Sequence, residues 1–282
     1  MAVDRATRAR PAIVGTVGAW LVWGLVAFFL INLFGVILSV VVNSFATSWF
    51  GTWLPQGLTT KWYDSAWHEF NLADVIKVTL EVAIATVVIA AVLGVPAAYV
   101  LARREFPGKR LLMLAFLLPI LTPPITYGIP LATVLYKAHL AGSIYGVILA
   151  NLVPAVPFVI MVTTPFIEQI DPKIEAAARM CGAGTFTVFR RILVPLLIPG
   201  ILAASVLVLV RTVGQFELTF LTAGADSQTL VVALYYSVFA AGVRASQSID
   251  AMAVVYMLTT LSLLVIALRF VNPTQLVARI RE

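Results

Sequence analysis

Six apolar stretches, each long enough to cross a bilayer, constrain this chain more than any other feature in it. A spanning helix needs about 20 mainly apolar residues. The stretches cover residues about 15–43, 78–102, 111–136, 143–166, 193–222 and 250–270. The expected fold is an all-α integral membrane protein with about six transmembrane helices, forming a single transmembrane domain over 1–282. Composition agrees, with 61% of the 282 residues hydrophobic and only 11% charged, against about 25% charged in soluble domains. The first stretch is too long for a signal peptide and no cleavage pattern follows it, so it reads as a retained helix.

The net charge of +6 invites a nucleic-acid or acidic partner. The positions of the charges point to membrane topology instead. Arg5, Arg8, Arg10, Arg103, Arg104, Lys109, Arg110, Lys173, Arg179, Arg190, Arg191, Arg269, Arg279 and Arg281 all fall on one side of the six-span arrangement. Lys61, Lys77, Lys137 and Arg244 fall on the other, and Arg211 lies inside the fifth span. Basic loops stay cytoplasmic, so both termini and the 167–192 loop are expected on the cytoplasmic side. On the other side, residues 44–77 hold the aromatic "WYDSAWHEFNLADVIK", suited to the outer interface. The apolar run in 223–249 is too short for a seventh span and reads as a re-entrant or surface helix.

A polar island interrupts the apolar pattern at 171–201, "DPKIEAAARMCGAGTFTVFRRILVPLLIPGI". Asp171 followed by Pro172 is a helix start, with an acceptor at the cap and proline at the first helical position. Glu175 sits in the first turn, where the helix dipole favours an anion. Gly182 and Gly184 can end the helix, and Thr185 can cap the next one. Ile174, Ala177, Ala178 and Cys181 recur at helical spacing and form one stripe of small and apolar residues. Such a short helix is marginal alone. Its small residues suit close approach to another surface, either a partner or the chain's own spans.

The island resembles the cytoplasmic coupling loop of ABC-importer permeases. Glu175-Ala176-Ala177, Gly182 seven residues after the glutamate, and then Ile192 and Pro195 occupy the family's pattern. The stretch "AAYVLARREFPGKRLL" at 97–112 is similar to the end of span two and the following loop in the same family. The resemblance implies a type I importer fold and a short helix that docks into a nucleotide-binding subunit, with Glu175 and Gly182 as contacts. It also implies a second permease, two ATP-binding subunits and an extracytoplasmic solute-binding protein as partners, in a bacterial inner membrane. No GxxxxGK[ST] loop occurs in the chain, so ATP and Mg²⁺ are expected on the partner subunits and no enzyme activity here. The two histidines are far apart and Cys181 is the single cysteine, so neither a metal site nor an intrachain disulfide is expected.

Ionisable residues inside spans default to functional hypotheses. Arg211, Gln215 and Glu217 in the fifth span are the candidate translocation-path residues. On a continuous helix Arg211 and Gln215 share a face and Glu217 points elsewhere. Lys77 and Glu81 read as an interfacial ion pair. Pro119, Pro123, Pro124 and Pro130 in span three, and Pro154 and Pro157 in span four, mark positions where helices can break beside a cavity. Residues 117–160 and "GQFELTFLTAG" at 214–224 look most like permeases of the spermidine/putrescine group. "ARREFPGKRLL" is shared with sugar permeases. For a polyamine, Glu217 would offset the cost of a cation in the membrane, and Phe216 and Phe220 would add cation–π contacts. Arg211 argues against a purely anionic path. An ion-driven secondary transporter accommodates these charges but leaves the Glu-Ala-Ala loop without a role. A membrane-embedded enzyme has no paired His, His–carboxylate or Ser–Lys arrangement to support it.

Overall fold

The computed structural model describes residues 12–239 and 245–269, with side chains from residue 18 onward. Arg5, Arg8, Arg10, Arg244, Arg279 and Arg281, and with them the expected placement of both termini, lie outside the described residues. Among the described residues every regular element is helical. Five helices are long and apolar enough to cross a membrane: α1 (Ala12–Phe45), α3 (Leu72–Arg103), α6 (Ile144–Glu168), α9 (Val194–Val213, with the turns before it) and α12 (Ser246–Arg269). The short α2 (Lys61–Glu69) lies between α1 and α3.

The third apolar stretch is a broken span, and here the structure corrects the expected single helix over 111–136. α4 (Lys109–Leu121) and α5 (Pro124–Lys137) meet at a bend of 99°. The cause is the Pro123-Pro124 pair. A residue before proline is driven out of the helical region, and Thr122 and Pro123 are both extended, with ψ of 144° and 132°. Pro154 and Pro157, by contrast, stay within the continuous α6.

The fifth stretch also ends sooner than expected. α9 stops at Val213, Gly214 follows as its cap, and the chain resumes in α10 (Glu217–Thr222). Beyond it α11 (Leu230–Phe239) is a ten-residue helix, shorter than a span. Thr79 on α3 ties its start down: the hydroxyl donates to the Val75 carbonyl and accepts from the Leu230 N–H at 2.9 Å.

Helices α3, α6 and α9 share one core, in which Ala90, Ala98, Val159, Ile160, Ile167, Leu197 and Val208 are buried. Small residues set the spacing. A Cβ on Gly94 would stand 2.7 Å from a methyl of Val159, so α3 approaches α6 closely at that point. A second core joins α2, α3, α11 and α12 around Leu72, Leu230 and Met252. α1 is attached chiefly at one end. Its Asn43 amide donates to Asp250 at 2.6 Å, Ser44 meets the Tyr63 hydroxyl at 2.8 Å, and residues 18–39 are exposed all round. In a bilayer that apolar face meets lipid or another membrane helix.

The Gly94 contact generates a test. Gly94→Leu forces α3 and α6 apart at a stiff, branched neighbour, an overpacking that costs about 1–3 kcal/mol. The solubilised variant should unfold at a lower temperature than wild type by several degrees, whereas Ala at exposed Gly18 should leave the midpoint unchanged.

Candidate functional site

Two groups of residues stand out, one at each end of the α3–α6–α9 core. The first surrounds α7 (Pro172–Met180), which follows α6 after a short bend. Its start is built as the sequence indicates. The Asp171 carboxylate accepts from the Lys173 N–H at 2.9 Å, and Pro172 occupies the first position. Gly182 has φ of +85°, a left-handed conformation that other residues rarely adopt, and it turns the chain away from α7. Gly184 then caps α8 (Thr185–Val188), so Thr185 is the first helical residue and not the cap.

Glu175 takes a different place from the one the docking-loop pattern implies. It is 4% exposed and faces the protein's own helices, not the outer surface of α7. The Arg103 Nε donates to its Oε1 at 2.7 Å, and the Tyr99 hydroxyl donates to its Oε2 at 2.8 Å. Arg179 stands 3.7 Å away on the exposed side. A second Arg103 nitrogen, Nη2, donates to the Ile170 carbonyl at 2.7 Å. The guanidinium therefore lies where α3 and α6 both end and where helix dipoles leave partial negative charge. A buried carboxylate with two charge-bearing neighbours and a phenol is satisfied; the same group facing an apolar partner alone would not be.

The outward face of α7 carries exposed apolar side chains beside the exposed Lys173 and Arg179. Met180 is 85% exposed and Phe186, just beyond the turn, is 72% exposed. Ile174, Ala176, Ala177 and Cys181 are exposed as well, and only Ala178 and Ala183 pack inward. Ile192 and Pro195 lie past this surface. Residues Phe189–Leu193 form a π-helical turn, closed by the Val194 N–H donating to the Phe189 carbonyl. Proline at 195 supplies no N–H for the Arg191 carbonyl and crowds it. The wider turn accommodates that position, so Ile192 and Pro195 shape the entry to α9.

The second group gathers where α9 breaks. Gly214 ends the helix, and the Gln215 amide turns back to donate to Glu217 Oε2 at 3.2 Å. On a continuous helix Glu217 points away from Arg211; the break lets Gln215 reach Glu217, and the cavity shared by Arg211 and Gln215 is not lined by Glu217. Arg211 and Gln215 line a common cavity of about 10 Å³ with Asn151, Pro154 and Phe158, near the size that admits one water. Arg211 is half-buried and has no carboxylate within 4 Å among the described residues. The Tyr127 hydroxyl on α5 is buried without a hydrogen-bond partner among the described residues and feels the charges of both Arg211 and Glu217. Beside Glu217, Phe216, Phe220, Tyr235, Tyr236 and Phe239 form a continuous aromatic cluster with centroids 4.4–5.8 Å apart. Lys77 and Glu81 form an exposed pair at 3.8 Å on the rim of a separate cavity of about 860 Å³ that Asp74, Asp226 and Tyr236 also line. An exposed pair of that length contributes little to stability.

Sequence reasoning missed Tyr99, Arg103, Tyr127 and Asn151. Arg103 had been explained as a topology charge, and its partner is 72 residues away. Asn151, an amide in an apolar run, carried the one usable signal: an intramembrane polar residue. It donates to the Val147 carbonyl and reaches Thr219 at 3.5 Å. Among the described residues no group of three His, Cys, Asp or Glu side chains is placed to hold a metal ion.

Residues 90–277 match a family described as binding-protein-dependent transport system inner membrane component. The trehalose transport system permease protein SugB of Mycobacterium tuberculosis is 35% identical over 160 residues, which cover 57% of this chain and 58% of that one. The chain thus spans about three fifths of that relative's length. The spermidine/putrescine transport system permease protein PotC of Escherichia coli is 27% identical over 244 residues, covering 86% and 88% of the two chains. In structure, a bacterial ABC transporter involved in the import of the acidic polysaccharide alginate superposes with a TM-score of 0.73 at 16% identity, covering 96% of this chain and 100% of that one.

The buried pair makes a prediction about stability. Glu175→Ala leaves the Arg103 charge enclosed without its partner, a loss of about 3–5 kcal/mol. The unfolding midpoint should fall by roughly 6–12 °C. Met180→Ser, on the exposed face of the same helix, should leave it unchanged.

Proposed function

The chain belongs to the binding-protein-dependent transport system inner membrane component family, and on that premise we propose that it is a membrane-spanning permease subunit of an ATP-driven bacterial ABC importer. It pairs with a second permease, two ATP-binding subunits and an extracytoplasmic solute-binding protein. It sits in the inner membrane with α7 and both termini on the cytoplasmic side. ATP and Mg²⁺ belong to the ATP-binding subunits, and this chain, taken as one permease domain, supplies part of the solute path.

The exposed apolar face of α7 is the observation that carries this reading. Ile174, Met180 and Phe186 project from the end of the bundle where Arg103, Lys109, Arg179 and Arg190 also lie. Positive charge keeps that end in the cytoplasm. Apolar side chains there meet water unless a protein covers them. A transporter driven by an ion gradient has no use for such a surface. Co-purification is the test. Wild type should retain an ATP-binding subunit through detergent extraction, and Met180→Asp with Phe186→Asp should release it while membrane level stays normal. Retention by the double variant would remove α7 as the docking element.

For the solute we propose an amine-bearing, polyamine-like cation. Glu217 beside the Phe216, Phe220 and Tyr235 rings offers a carboxylate with aromatic faces, a combination suited to ammonium groups. The name of the relative matched over most of this chain is in keeping with that chemistry. One observation favours a second reading, a sugar or other polyhydroxylated solute. Among the described residues Arg211 has no carboxylate within 4 Å, and with Tyr127, Asn151 and Gln215 it presents hydrogen-bonding groups better suited to hydroxyls. Reconstituted uptake separates the two. Glu217→Gln should lower putrescine uptake roughly tenfold, the effect of about 1.4 kcal/mol, with assembly intact. Uptake of a neutral disaccharide that depends on Arg211 and ignores Glu217→Gln would establish the sugar reading instead.

A further inference from the structure

We infer that Arg103 is the positioning residue that couples the docking helix to the membrane core, fastening α7 to the ends of α3 and α6 so that force on α7 enters that pair directly. The inference rests on α7 being the ATPase-docking helix. Along the chain α7 is bounded by a three-residue bend, 169–171, on one side and by Gly182 and Gly184 on the other. Neither link is a stiff helical extension. The apolar face of α7 is turned outward, and inward packing comes mainly from Ala178. Besides Glu175, Arg179 reaches the Tyr99 hydroxyl at 3.4 Å, so the polar ties of α7 to its own subunit run to one end of α3.

Both oxygens of Glu175 are held by side chains of a single helix. Arg103 takes Oε1 and Tyr99, one turn earlier on α3, takes Oε2. The same guanidinium holds the Ile170 carbonyl at the end of α6. One planar, multi-donor group thus joins three elements through two separate nitrogens. A lysine ammonium cannot reproduce that fork. Farther along, α3 and α6 pack at Gly94 and Val159 with no room for a side chain between them. A displacement of α7 is therefore delivered to α3 and α6 together and does not depend on the glycine turn leading to α9. Arg103 touches no solute; it acts through Glu175 and the α6 end.

The test uses the complete importer in proteoliposomes and a mutant cycle of Arg103→Gln, Glu175→Gln and the double variant. Solute uptake per ATP hydrolysed and retention of the ATP-binding subunit are both measured. Each single variant should retain the ATPase and lose about tenfold in uptake per ATP. The double variant should lose no more than either single, because both act through one contact. Arg103→Lys should recover less than half of the loss. A nitroxide on Cys181, the chain's single cysteine, should gain mobility in the same variants.

Additive losses in the double variant, or wild-type uptake per ATP in Arg103→Gln, would overturn the inference. Should a single variant fail to assemble, the double variant, which leaves no unpaired charge, decides alone: wild-type coupling in it overturns the latch. An ATPase that never accompanies the wild-type chain would instead defeat the importer reading itself, so the two failures are separable.

Discussion

Hydrocarbon offers no hydrogen-bond partner to a peptide group, and this constraint governs where the chain can stop being helical. It departs from helix inside the apolar stretches at Thr122–Pro123 and at Gly214–Phe216. Both departures are closed locally. The Thr122 N–H donates to the Leu118 carbonyl and the Gln215 N–H to the Thr212 carbonyl. The turn at Gly142 is held from across the fold, its N–H donating to the Thr222 carbonyl at 2.8 Å. At the second break the released backbone brings polar side chains with it. Arg211 and Gln215 share a small cavity with Asn151, Gln215 bonds to Glu217, and the charges of Arg211 and Glu217 both reach Tyr127.

The spans could be read from sequence because lipid selects for length and apolarity, which need no knowledge of packing. The start of α7 was equally legible, since Asp171, Pro172 and Gly182 act through local backbone chemistry. The break after Val213 was not. A single glycine is tolerated in a helix at modest cost, so "VGQFEL" gives no firm stop, and the bond from Gln215 to Glu217 was hidden with it. The orientation of α7 was hidden for another reason. Its stripe of Ile174, Ala177, Ala178 and Cys181 suits either a partner or the chain's own spans, and the pattern alone gives Glu175 to the partner. Only the arrival of Arg103 and Tyr99 from α3 turns Glu175 inward.

The two functional groups lie on the same core. Leu101, Ile167 and Val188 belong to it near α7, and Val208 belongs to it one turn before Arg211. Close-packed interiors transmit displacement because they have few voids to absorb it. The permease fold therefore places α7 and its polar layer on one set of three helices, with the broken α4–α5 span and the loosely attached α1 outside that set.

The π-helical turn at Phe189–Leu193 has a consequence at the far end of α9. A π turn holds one residue more than the α-helical path, and each α-helical residue advances about 100° around the axis. Everything after Leu193 is therefore rotated in phase relative to a helix that had continued unbroken. Arg211 follows 18 residues later, roughly 27 Å along the axis. The compass bearing of the guanidinium is thus set beside α7: local tightening of that one wide turn to α-helix would rotate Arg211 by about 100° around α9 and shift it by about 1.5 Å along the axis.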